Sequence, residues 1–165
     1  MNFTDDMEVL FRGPLCVMGV GNAIRRDDGL GVYVVDALEK RCAQAPVRFI
    51  SAGDVPENYT FRVADMDCEN VLIIDAVNGG LEPGSVVFGG IEDHGAMNDY
   101  STHRLSLGLA AKVWRNAGKG CFLLGVQAED TGFGEGLTER VQRSADMVVN
   151  VICTIINSIP EGVKV

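Results

Sequence analysis

The sequence predicts an α/β fold: a three-layer sandwich whose twisted, mostly parallel, five-stranded sheet has one antiparallel edge strand and helices on both faces. Three observations lead there. Short apolar runs at residues 15–20, 46–50, 71–77, 85–88 and 120–126 alternate with amphipathic segments, the pattern of strand–helix–strand units. The run Val71-Leu72-Ile73-Ile74-Asp75-Ala76-Val77 places four large apolar residues in a row before its carboxylate, as a central strand buried on both faces requires. Turn residues Asn78-Gly79-Gly80 and Pro83-Gly84 return the chain to 85–88 too quickly for a helical crossover, so that strand pairs antiparallel at an edge.

Residues 1–13 are a lead-in to the first strand. After that strand, Gly19-Val20-Gly21-Asn22 makes a turn, and Asp27-Asp28 precede Leu30, Val34, Val35 and Leu38 at helical spacing, closed by polar Glu39, Lys40 and Arg41. The second strand runs into Ser51-Ala52-Gly53-Asp54. Pro56-Glu57-Asn58 then starts a helix that continues through Phe61, Val63 and Ala64. Residues 91–102 form an acidic loop holding His94. His103 opens a helix whose apolar spacing is read from Leu105, Leu109, Val113 and Trp114. In the last helix Leu137, Val141, Ala145, Val148, Ile152 and Ile155 step by three and four, with Glu139, Arg140 and Arg143 on the other side. No repeat or linker interrupts the 165 residues, which are read as one domain, 1–165.

A net charge of −9 offers no basic stripe to displace counterions, which argues against a nucleic-acid partner. The five cysteines are scattered without a C-x-x-C pair, and Cys16 and Cys121 lie inside apolar runs as core residues. An odd, scattered set suits a reducing compartment. The amino-terminal stretch carries acid where a signal peptide needs base, and the longest apolar run, 148–159, is broken by Asn150, Thr154 and Asn157. A cytoplasmic protein with no membrane partner is expected.

In open parallel sheets ligands bind beyond the carboxyl ends of the strands, where the strand order reverses. Asp27 and Asp28 follow the first strand, Asp75 ends the strand expected beside it, and His103 can begin its helix on the same rim. Each has an ordinary structural reading too. In that reading Asp28 is a helix cap, Asp75 a strand-end turn former and His103 a surface residue near a helix start. The sharper reading is that one of the adjacent aspartates caps while its neighbour is free to bind something. Together, two carboxylates and an imidazole make an O,O,N set that can hold a divalent transition metal and leave positions open for substrate. Other chemistries fit less well. Gly19-Val20-Gly21 begins like a dinucleotide fingerprint, but Ile24 stands where the third glycine belongs and strand two ends in Ser51 rather than an acid. There is no G-x-S-x-G elbow and no Walker lysine. Asp130-Thr131-Gly132 copies an aspartic-protease tripeptide, but only once and on an α/β scaffold, so it is read as a loop after the fifth strand.

Taken in order, Gly19-Val20-Gly21-Asn22, Asp27-Asp28-Gly29-Leu30-Gly31, Pro56-Glu57-Asn58, Leu72-Ile73-Ile74-Asp75-Ala76, Pro83-Gly84, Ser101-Thr102-His103 and Leu124-Gly125-Val126-Gln127 resemble the hydrogenase maturation endopeptidases. Within that family the likeness is to the formate-hydrogenlyase and archaeal types. The resemblance implies a cytoplasmic protease that removes a C-terminal extension from the nickel-loaded precursor of a [NiFe] hydrogenase large subunit. It further implies that nickel is supplied by the substrate as the recognition element, with no organic cofactor. The family's metal-contacting and catalytic positions fall on Asp28, Asp75 and His103, with Asp27 and Asp54 as accessory candidates, and they favour His103 over His94. One departure is local: many members end strand two in Asp-Gly-Gly or Asp-Ala-Gly, whereas this chain has Ser51-Ala52-Gly53 and then Asp54. Ser51 motivates a second reading, a non-catalytic metal-sensing chaperone that binds the immature large subunit without cutting it. A third reading, a nucleotide binder built on the Gly19 turn, explains neither Asp75 nor His103.

Overall fold

A computed structural model of the chain describes residues 2–43, 45–91 and 103–160. Five strands, β1 (Leu15–Val20), β2 (Val47–Gly53), β3 (Asn70–Val77), β4 (Val86–Gly90) and β5 (Gly120–Gln127), form one sheet in the order β2-β1-β3-β5-β4. The β1/β2, β1/β3 and β3/β5 pairs are parallel, and β4 pairs antiparallel with β5 at the edge. Among the described residues the helices are α1 (Phe3–Phe11), α2 (Leu30–Arg41), α3 (Thr60–Ala64), α4 (Arg104–Asn116) and α5 (Glu139–Ser158), with 3-10 turns at Arg26–Gly29 and Pro56–Tyr59. This is the α/β sandwich the sequence predicts. His94 and the rest of 92–102 lie outside the described residues.

Two cores flank the sheet. Leu72, Ile74 and Ala76 of β3 pack with α1, α2 and α5 on one face, while Val71, Ile73 and Val77 pack with α3 and α4 on the other. Strand alternation therefore aims Asp75 toward the α3/α4 layer, the layer His103 enters. The lead-in is a helix in its own right. A reciprocal capping box starts it, with Asp5 N–H donating to Asn2 Oδ1 (3.0 Å), and Met7, Leu10 and Phe11 are buried.

The face read for α4 holds at Trp114, which is fully buried, and fails at Leu105 and Leu109. Leu105 and Leu109 are 78% and 70% exposed, and Trp114 meets the sheet together with Leu107, Ala110 and Ala111. Both sets have helical spacing, so periodicity alone does not separate them. Two alanines let the helix lie close to the sheet, and Trp114 fills the remaining volume and donates its Nε1–H to the Thr60 carbonyl (2.8 Å). All five cysteines are buried free thiols, as expected of core residues. No helix among the described residues is long and apolar enough to cross a membrane.

The start of α2 lies against the carboxyl ends of β1 and β3. A Cβ on Gly31 would collide with the carbonyl oxygens of Val20 and Ile74, and one on Gly19 with Gly31's own carbonyl. Two facing glycines thus bring helix and sheet backbones into contact. Gly31→Ala is expected to lower stability by about 2–3 kcal/mol, because backbone cannot yield as a side-chain tip does. Chemical denaturation measures this, and an unchanged midpoint would show that α2 can back away from the sheet.

Candidate active site

The chain passes from β1 outward to β2 and then returns to β3, so the strand order reverses between β1 and β3. That is the position where α/β sheets bind ligands. Asp75 reaches this rim from inside β3, which continues to Val77 rather than ending at the carboxylate as expected. Asp75 is fully buried, and its Oδ2 lies 3.3 Å from Nδ1 of His103, the residue preceding α4. The imidazole is mostly buried as well, with 12% of its side chain exposed.

The turn after β1 brings in the next carboxylate. Asn22 N–H donates to Asp28 Oδ2 (3.0 Å), and the Asn22 amide donates across to Asp54 Oδ2 at 3.4 Å. Asp54 comes within reach because β2 carries an irregularity opposite Gly19/Val20 and then Gly53, at φ +61°, turns the chain. Asn22 therefore links the β1 turn to the end of β2, a role its place in a glycine-rich motif did not reveal.

Asp27 goes elsewhere. It is fully buried, and its carboxylate accepts bonds from the backbone N–H groups of Glu129 (2.9 Å), Asp130 (2.9 Å) and Thr138 (2.7 Å), and from the Thr138 hydroxyl. The seam continues through Arg26 N–H to Gly134 O (2.9 Å), Gly134 N–H to Ile24 O (2.8 Å) and Asp27 N–H to Asp130 O (3.1 Å). To make it, Arg26 takes a left-handed φ of +47°. The capping expectation is corrected here: Gly29 is the N-cap of α2 and no side chain caps it. Asp27 serves the start of α5 instead, where Thr138 is the N-cap. Asp130 Oδ1 accepts Gly132 N–H (2.7 Å), a local turn consistent with the loop expected after β5.

Burial by itself would lower the proton affinity of His103. It is outweighed by the Asp75 hydrogen bond and by the charges of Asp75, Asp28 and Asp54, which raise the imidazole above its ordinary value. The charges of three carboxylates thus act on one imidazole, Asp75 in direct contact with it, and Asp27 is not among them. Among the described residues, no three His, Cys, Asp or Glu side chains stand in the geometry of a complete metal site.

An NMR titration of protein treated with chelator is expected to show His103 titrating above the ordinary histidine value near 6.5, and Asp75→Asn is expected to bring it down. A raised folded value makes the pair's contribution to stability full below the unfolded value near 6.5 and lost as pH rises through the folded one. A His103 midpoint unmoved by Asp75→Asn would show that the contact does not govern the ring.

Gln127, at the end of β5, organises the opposite side of the rim. Its Oε1 accepts the N–H groups of Gly79 (2.8 Å) and Leu81 (3.3 Å), and its Nε2 donates to Ala128 O (3.0 Å). One amide thereby holds the loop that leaves β3 two residues after Asp75.

The HycI model of hydrogenase maturation proteases matches residues 32–155. The chain is 30% identical over 133 residues to the hydrogenase 3 maturation protease of Escherichia coli K12, covering 78% of this chain and 82% of that relative. The [NiFe] hydrogenase maturation protease HycI of Thermococcus kodakarensis has a crystal structure that aligns with a TM-score of 0.78 at 26% identity, covering 93% of this chain and 99% of that one. The hydrogenase-maturating endopeptidase HybD of Escherichia coli shares the fold, with a TM-score of 0.72 at 24% identity over 90% of this chain and 98% of that one. With its reversal-point carboxylates and histidine carried on that fold, and a family match spanning most of its length, the chain belongs to the hydrogenase maturation proteases.

Proposed function

We propose that this protein removes the C-terminal extension of a [NiFe] hydrogenase large-subunit precursor once nickel has been inserted, and that the nickel carried by the substrate is what it recognises. The observation that carries this reading is the buried Asp75–His103 pair at the β1/β3 reversal, with the charges of Asp28 and Asp54 acting on the same ring. Carboxylate and imidazole donors suit a divalent transition metal. Asp28, Asp75 and His103 complete the coordination of a nickel ion already held by the precursor, which brings the adjoining peptide bond to the rim. Hydrolysis then needs a proton taken from water as it adds to the carbonyl, and a proton given to the departing amine. A carboxylate left outside the metal's coordination, as Asp54 is, is suited to both transfers. Asp54, held by Asn22, stands in for the aspartate that many members carry where this chain has Ser51.

The test mixes the protein with nickel-loaded and nickel-free large-subunit precursor from the same cell and follows precursor mass. Loss of a C-terminal peptide from the loaded form only is the expected result. Shortening regardless of nickel overturns the recognition step. Nickel-dependent binding without any mass change, by protein verified as folded, favours the chaperone reading that Ser51 motivates.

A further inference from the structure

Far from the rim, the C-terminal end of α2 meets the C-terminal half of α5, and two thiols face each other there. Cys42 Sγ lies 3.0 Å from Cys153 Sγ, with the residues 7% and 3% exposed. They are separated by most of the chain, so nothing in their sequence spacing suggests a pair. A surface cavity of about 270 Å³ opens onto Cys42 and is lined also by Lys40, Arg41, Ala45 and Ile156. We propose that Cys42 and Cys153 are a redox modification site, a dithiol that a small hydroperoxide entering through this cavity converts to a disulfide joining α2 to α5.

The geometry favours this pair for three reasons. First, the two sulfurs need approach by only about 1 Å to reach bonding distance. Second, Cys42 is the C-cap of α2, where the chain is already leaving the helix, so its backbone can supply that movement. Third, the cavity admits a small oxidant to a thiol that is otherwise buried. Cys16 and Cys68 also interact, but Cys16 sits within β1, held by β2 and β3 on either side.

The chemistry balances with hydrogen peroxide as the oxidant. Cys42 sulfur attacks one peroxide oxygen, an S–O bond forms, the O–O bond breaks, and the departing oxygen leaves as water with the thiol proton. Cys153 sulfur then attacks Cys42 sulfur, the S–S bond forms, the S–O bond breaks, and a second water carries off the remaining proton. Two sulfurs are oxidised and one peroxide is reduced. Burial, and then the hydrogen bond with Cys153, push the Cys42 thiol up to about 12, so it stays protonated near neutrality and reacts slowly. The site thus records sustained rather than brief exposure.

The bond would close a loop spanning most of the chain, which restricts the unfolded state strongly. α2 begins at the rim and runs about 18 Å before reaching Cys42, so the reacting groups at the rim are untouched. Oxidation is therefore read out as stability.

The experiment treats the reduced full-length protein with hydrogen peroxide, blocks remaining thiols by alkylation, and combines intact mass with a non-reducing peptide map and a melting curve. Expected are a loss of two hydrogens, one cross-linked peptide containing Cys42 and Cys153 that dithiothreitol separates, and a rise in Tm of about 5 °C or more. Cys42→Ala and Cys153→Ala should each abolish both the cross-link and the rise. Sulfinic acid at either thiol without the two-hydrogen loss overturns the proposal, as does a cross-link through Cys16 and Cys68 or between chains. So does absence of reaction at both thiols. Should either variant fail to fold, the wild-type peptide map decides by itself.

Discussion

Asp27→Ala is expected to lower stability by about 3–5 kcal/mol, the cost of stripping a buried anion from several donors at once. The carboxylate sits fully buried and receives three backbone N–H groups and one hydroxyl, all from residues 129–138. None of those N–H groups gains another acceptor when the side chain is cut back to a methyl, and the positive end of α5 loses its facing charge. Asp27→Asn preserves the shape and one accepting oxygen but turns the other into a donor aimed at donors, so its cost is of the same sign and somewhat smaller. Denaturant unfolding of the three proteins measures both. A loss for Asp27→Ala within about 0.5 kcal/mol would mean that the loop is held by its backbone seam alone and that the carboxylate is dispensable.

Asp75→Asn is expected to reduce precursor shortening by at least about 100-fold, with the fold retained. The substitution keeps volume and burial, but its amide either turns an N–H toward His103 Nδ1, selecting the other tautomer, or presents a neutral oxygen that no longer favours a charged ring. It also removes one of the three donors assigned to the substrate's nickel. His103→Ala should be similarly inactive, and the double substitution should cost little more than either single one, since the two groups act as a unit. Simple additivity of the two losses would instead show that each acts separately. Retained shortening by Asp75→Asn would remove Asp75 from the proposed chemistry altogether.

The fold was legible because its signals are local and strong. An unbroken apolar run marks β3, and a glycine-proline return marks the antiparallel β4. The convergence of Asp28, Asp75 and His103 followed from topology, since the strand reversal and the α/β handedness bring those chain positions to one rim. What escaped was decided by partners distant in sequence. Asp27 and Asp28 are neighbours of the same type, and only the loop after β5 makes one a structural anchor and leaves the other beside the imidazole. α4 offered two apolar stripes of equal period, and the choice fell to the one with small residues, which a count of large hydrophobics reads backwards. Cys42 and Cys153 meet only because α2 and α5 pack side by side.

The anchoring of Asp27 also bears on when the rim matures during synthesis. Asp27 is made early, but every donor that satisfies it lies between Glu129 and Thr138, and β5, the neighbour of β3, comes only shortly before them. A growing chain emerging at about 5–20 residues per second carries a buried-type carboxylate with nothing to bind it until more than a hundred further residues have followed. The β1 turn that presents Asp28 and Asn22 gains this anchor only once residues 129–138 have been made. A chain cut before Glu129 is therefore expected to lack every bond that anchors Asp27.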